Sequence, residues 1–64
     1  MTSDDYRPCV WLSRQGQPRR ASVRYIRIMS REEALQALRE DRAAWVAPDE
    51  AQQVWNAWLQ ERMP

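Results

Sequence analysis

Two runs of apolar and β-branched residues in the first half of the chain predict a β-hairpin. Residues 9–13 form a short apolar run, and residues 21–29 are dense in β-branched and aromatic side chains. Residues 14–18 between them contain a glycine and a proline, which favour a turn. Alternation in the second run is imperfect, so we expect a bulge there or a strand that is covered on both sides. A helix from about residue 18 is the competing interpretation.

The second half of the chain carries two helix-start signals. Ser30 and Glu33 have the spacing of a capping box, in which each side chain accepts a hydrogen bond from the backbone amide of the other. This predicts a helix over residues 30–43, although Asp41 interrupts its apolar stripe and favours fraying near its end.

Pro48 starts the second predicted helix, which extends over residues 48–62, and two acidic residues follow it in the first turn. Apolar residues then recur at helical spacing. They are Ala51, Val54, Trp55, Trp58 and Leu59. The predicted fold class is α+β, a small single domain over residues 9–64 in the order β-β-α-α, after a flexible N-terminal tail over residues 1–8.

This order of elements resembles that of the ribbon-helix-helix DNA-binding dimers over about two thirds of the chain. The resemblance implies a ribbon made of one strand from each of two subunits, with Arg24 and Ser22 pointing outward into the DNA major groove. The chain departs from the family pattern in three ways. The strand lacks regular alternation, residues 9–13 supply an additional strand, and the connector between the helices has no glycine.

The size of the chain limits its stability. A domain of 64 residues buries only about 60% of the surface that its unfolded chain exposes. Cys9 is the only cysteine and there is no histidine, so neither an internal disulfide nor a zinc site is expected. Self-association or binding to a partner is therefore the expected source of further stability. A lone thiol, a polar N-terminus and the lack of a long apolar run favour a cytoplasmic protein without membrane contact.

The residue inventory argues against catalysis. The chain has no histidine or lysine to serve as a general base or to activate a nucleophile, and its single glycine cannot form a phosphate-binding loop. Its acidic residues cluster at helix starts or beside arginines, where capping and solvation explain them. We therefore expect a protein that is not an enzyme, with no catalytic residue, cofactor, metal or small-molecule substrate.

Charge is divided unevenly along the chain. Residues 1–29 hold six arginines and two aspartates, a net charge of +4, whereas residues 30–64 hold four arginines and seven acidic residues, a net charge of −3. The basic hairpin predicts contact with nucleic acid. Its candidate binding residues are Arg14, Arg19, Arg20, Arg24, Arg27 and Tyr25. The alternative is that these arginines form a solvated face or pair with the acidic helices.

Four tryptophans are a second candidate feature, because tryptophan is enriched at protein interfaces. They are Trp11, Trp45, Trp55 and Trp58. The alternative for the last two is a place in the core, while Trp45 lies in the connector and is the better interface candidate. The leading hypothesis is a small regulatory protein that binds DNA or RNA through its hairpin while its helices pack or dimerise. The other is a protein-interaction module, of the kind that phages and plasmids encode, that docks through its hairpin edge or tryptophans.

Overall fold

The computed structural model describes residues 6–63, apart from the side chain of Tyr25, and it confirms the α+β class with an N-terminal hairpin followed by two helices. The elements are β1 (Tyr6–Ser13), β2 (Gly16–Arg24), a 3₁₀ turn (Tyr25–Arg27), α1 (Arg31–Arg39), β3 (Ala44–Val46) and α2 (Pro48–Arg62). No helix among these is long and apolar enough to cross a membrane.

β1 is the central strand of an antiparallel three-stranded sheet with the order β2-β1-β3. Val10 pairs with Val46 of β3 on one side and with Arg20 of β2 on the other. Because alternate residues of a strand point to opposite faces, Val10 and Leu12 lie on one face of the sheet and Trp11 on the other. The two faces have different surroundings.

Both helices pack on the face that carries Leu12. The apolar cluster there joins the sheet to the inward side of each helix. Its buried members are Leu12, Ala34, Ala37, Leu38, Ala44, Val46, Ala51, Val54 and Trp58. Trp55 is half-buried and packs against this cluster. The positions of Trp55 and Trp58 therefore agree with the alternative that both belong to the core and not to an interface.

The hairpin is longer and its turn tighter than the sequence predicts. β1 begins at Tyr6, so residues 6–8 belong to a strand and not to a flexible tail; residues 1–5 of that predicted tail lie outside the described residues. The ladder runs from the Tyr6–Arg24 pair to the Ser13–Gly16 pair, and its register shifts between the Trp11–Arg19 and Ser13–Gly16 pairs, where β2 has one residue more than β1. The alternative helix from residue 18 is wrong, because this ladder satisfies the backbone of β2.

The second strand ends at Arg24, earlier than the predicted limit of residue 29, and the chain leaves it through the 3₁₀ turn. β2 pairs with β1 of its own chain. The ribbon between two subunits that the resemblance implies is therefore an intramolecular hairpin here. Arg24 and Ser22 are nevertheless exposed, as that resemblance implies.

The predicted bounds of α2 are confirmed, but α1 ends at Arg39 and not at residue 43. The capping box is present, with the Glu33 amide donating to Ser30 Oγ at 3.2 Å. Asp41 has a positive φ of 61°, which ends the helical path. Residues 44–46, predicted as part of the connector, form β3 instead, because this pairing buries Ala44 and Val46 beside β1.

Candidate nucleic-acid interface

A row of three side chains crosses the sheet face that the helices leave uncovered. Trp11 of β1 pairs with Trp45 of β3 on one side and with Arg19 of β2 on the other. Directly opposite residues in a sheet have Cβ atoms about 4.5–5.5 Å apart. The Arg19 guanidinium carbon lies 6.0 Å from the centroid of the Trp11 ring, at the limit of a cation–π contact. Both indoles are half-buried and Arg19 is exposed.

The residues beside this row are small or apolar. Cys9 lies two positions before Trp11 and is only 1% exposed, and its β2 partner Ala21 is half-buried. Burial raises the pKa of the Cys9 thiol, which keeps it protonated and unreactive at neutral pH. Cys9 is therefore a buried residue next to the tryptophan row and offers no nucleophile.

The other face of β2 carries Arg20 and Arg24, both exposed. Arg24 lies opposite Tyr6, with its guanidinium carbon 5.9 Å from the tyrosine ring centroid, and Tyr6 is 59% exposed. Arg27, from the 3₁₀ turn, lines a shallow depression together with Arg24 and Tyr6. Guanidinium groups thus lie on both sides of this edge strand.

Ion pairing separates the arginines of the two halves. Arginines of the second half of the chain pair with acidic residues, as in Arg39 to Glu61 at 2.6 Å and Arg42 to Glu40 at 2.6 Å. Four arginines of the hairpin and its following turn form no ion pair with any described residue. They are Arg19, Arg20, Arg24 and Arg27. The pairing alternative for these residues therefore does not hold within residues 6–63, and their charge faces solvent.

Arg14 is the exception among the predicted binding residues. Its side chain donates to the backbone oxygens of Leu38 at 2.8 Å and Arg39 at 2.6 Å, where α1 ends. It also lies 3.9 Å from the Asp41 carboxylate and 5.3 Å from the Trp58 ring centroid. This guanidinium caps α1 and joins the hairpin turn to the helices, so it is not presented to a ligand.

The four tryptophans fall into two pairs. Trp11 and Trp45 lie together on the uncovered sheet face. Trp58 is 6% exposed in the core, where its Nε1 has no hydrogen-bond partner among residues 6–63, and Trp55 lies at the margin of the core. Only the first pair is placed to contact a partner. Tyr25, the remaining candidate, has its side chain outside the described residues.

Sequence reasoning missed Tyr6, which it placed in a tail, and the role of Trp11 as the centre of a row. The signal for Tyr6 is weak, because Pro8 and Arg7 precede the apolar run and resemble loop residues. The signal for the row is the spacing of two positions between Cys9 and Trp11, which places both on the face opposite Val10.

No group of three or more His, Cys, Asp or Glu side chains that could hold a metal occurs within residues 6–63. Residues 6–29 contain no acidic residue at all. Comparison of the chain with known proteins gave no matching family model, no matching curated protein and no matching solved structure. The geometry of these side chains is therefore what supports a function.

Proposed function

We propose that this chain is a small non-catalytic regulatory protein of the cytoplasm that binds nucleic acid through its basic hairpin. The observation that carries the proposal is the set of exposed arginines on β2 that have no acidic partner among the described residues. Arginine contacts with phosphates release condensed counterions, which makes such a surface favourable for a nucleic-acid backbone. The unpaired thiol of Cys9 fits a reducing compartment.

β2 is an edge strand of the sheet, and its composition bears on the kind of partner it accepts. An open edge can add a strand from another protein, but Pro18 cannot donate a backbone hydrogen bond and the arginines repel a like-charged strand. Docking of a second copy along β2 would place arginines against arginines. A polyanion meets no such repulsion, which favours nucleic acid over strand addition.

The test measures how affinity for mixed-sequence nucleic acid depends on salt, in the wild type and in two double variants. Arg20→Gln with Arg24→Gln removes two unpaired arginines. The matched control, Arg31→Gln with Arg42→Gln, removes the same charge from arginines that lie against Glu50 and Glu40. Circular dichroism and urea unfolding check that each variant is folded.

We expect the wild type to bind and to lose affinity steeply between about 50 and 200 mM salt. The hairpin variant should lower the slope of log K against log salt by roughly 1.4–1.8, since each lost phosphate contact removes about 0.7–0.9. The control should keep the wild-type slope. Absence of binding at low salt, or equal loss in both variants, would overturn the proposal.

A further inference from the structure

The uncovered sheet face offers a stacking surface in addition to charge. Trp45, Trp11 and Arg19 are consecutive in one row across all three strands, so two indoles and a guanidinium lie side by side. Each of these groups has a planar face, and unpaired bases stack on such faces whatever their sequence. The row begins at β3 and ends at Arg19 of β2, while Arg20 and Arg24 lie on the other face of that edge strand.

A second copy of the chain does not suit this face. Arg19 belongs to this face by register and lies beside the indole of Trp11. A symmetric dimer would bring the same patch of both copies together, and with it two sets of like charges. No acidic residue of β1 or β2 is present to compensate for them. Charge complementarity therefore favours a polyanion as the occupant.

Duplex nucleic acid also fits this face poorly. A ribbon that reads the major groove does so with polar side chains directed at the base edges. Here the central positions of the face are half-buried indoles, which cannot donate to several base edges and cannot reach stacked bases. A single strand, by contrast, exposes its bases for stacking and leaves its phosphates free to reach arginines.

We infer that the uncovered face binds single-stranded nucleic acid, with unpaired bases stacked on Trp11 and Trp45 and a phosphate of the strand at Arg19, the arginine of β2 that lies on this face. This inference rests on the proposed function and names the ligand class for the same surface. Arg19 closes the row beside Trp11. Arg19 can take part in both base stacking and phosphate binding, since a guanidinium can stack on a base and also contact a phosphate.

The experiment compares equilibrium binding of three probes: oligodeoxythymidine, oligouridine and a hairpin duplex. Each single strand has about 12 nucleotides, a length within the range that small β-sheet domains bind. The variants are Trp11→Leu and Trp45→Leu, with Trp11→Phe to restore a ring. Trp55→Leu is the control, because Trp55 lies on the helix side of the sheet, against the core. Unfolding curves identify any variant that has lost its fold.

We expect single strands to bind at least about five-fold more tightly than the duplex. Trp11→Leu or Trp45→Leu should lower the affinity for single strands by about five-fold or more, because each variant loses one stacked base. The loss should be the same at every salt concentration, and Trp11→Phe should restore part of the affinity. Trp55→Leu should bind as the wild type does. Oligouridine binding more tightly than oligodeoxythymidine would assign RNA as the ligand, and the reverse would assign DNA.

A second measurement uses the unaltered protein, so it does not depend on how the variants fold. Stacked bases should quench tryptophan fluorescence on addition of oligodeoxythymidine, and this quenching should persist at salt concentrations where the strand still binds. Tight duplex binding that is unchanged in Trp11→Leu would overturn the inference and leave the proposed function intact. No binding of any probe at low salt would overturn both.

Discussion

At the scale of single residues, the arginines of the hairpin have two different roles that the sequence does not distinguish. Arg14 and Arg19 lie five positions apart in the same basic segment. Arg14 donates to two carbonyl oxygens at the end of α1, whereas Arg19 lies over an indole on the uncovered face. The difference comes from what the hairpin turn packs against, which is a property of the folded chain.

Arg14→Gln should therefore destabilise the protein without removing a ligand contact. The substitution leaves the Leu38 and Arg39 carbonyls without their charged donor, and hydrogen bonds to charged groups contribute about 1.5–3 kcal/mol each at most. We expect the free energy of unfolding to fall by about 1–3 kcal/mol in a urea titration. Binding to single strands should keep its salt slope under conditions where the variant is folded.

Arg20→Gln is the matched control for that substitution. Its side chain is exposed and forms no ion pair with residues 6–63, so its effect on unfolding should stay within about 0.5 kcal/mol. The two variants should thus change different properties: Arg14→Gln lowers the free energy of unfolding, and Arg20→Gln lowers the salt dependence of binding. Equal unfolding curves for the two would show that Arg14 does not cap α1.

At the scale of elements, short sequence motifs predicted the starts of both helices, because these starts depend on residues within one turn. The capping box at Ser30 and the proline at the start of α2 act within one helical turn, and both helix starts are where the sequence indicates. β3 could not be predicted in this way. It has three residues and exists because the free edge of β1 is available to pair with it, which depends on residues more than thirty positions earlier in the chain.

The same limit applies to the candidate site. The charge difference between the halves and the β-favouring runs led to the basic hairpin, because both are visible within a short window. The row of Trp45, Trp11 and Arg19 needs the register of two ladders at once. A shift of one residue in β3 would turn Trp45 towards the core, and a shift of one residue in β2 would move Arg19 to the other face, so the row cannot be inferred from spacing alone.

The contact between the two helix ends should make stability depend on pH in the acid range. Arg39 donates two hydrogen bonds to Glu61, at 2.6 and 2.9 Å, and these bonds hold the pKa of Glu61 below its ordinary value of 4.5. A carboxylate with a lowered pKa stabilises the fold above its unfolded-state pKa, and this contribution is lost as the pH falls through the folded-state value. The pair is exposed, so added salt should weaken it.

A double-mutant cycle checks this prediction. Glu61→Gln, Arg39→Gln and the double variant are unfolded in urea at pH 7 and at a pH well below 4.5, the ordinary pKa of the carboxyl. We expect a favourable coupling at neutral pH that disappears in acid, since protonation of Glu61 removes its charge. A coupling of the same size at both pH values would contradict the assigned ionic character of the contact.

At the scale of the whole molecule, a thin core and a divided charge distribution occur together. The largest fully buried side chains are Leu12, Leu38, Val46, Val54 and Cys9. Natural domains of this size commonly gain further stability from a disulfide, a metal or association with a partner. Self-association of the helices stays a prediction from chain length. A bound polyanion would add stability to the half of the molecule whose positive charges otherwise repel one another.

Single-stranded nucleic acid should therefore raise the melting temperature. A ligand at about 100 times its Kd that binds only the folded state adds about 2.7 kcal/mol. Each 1 kcal/mol shifts the melting temperature of a domain this small by about 4–8 °C. We expect oligodeoxythymidine to raise it by at least about 10 °C in differential scanning calorimetry. The Arg20→Gln, Arg24→Gln variant should show a smaller rise at the same concentration, relative to its own free form. An unchanged melting temperature at a concentration that saturates the wild type would mean that the strand does not prefer the folded state, and the uncovered face would lose its assigned ligand.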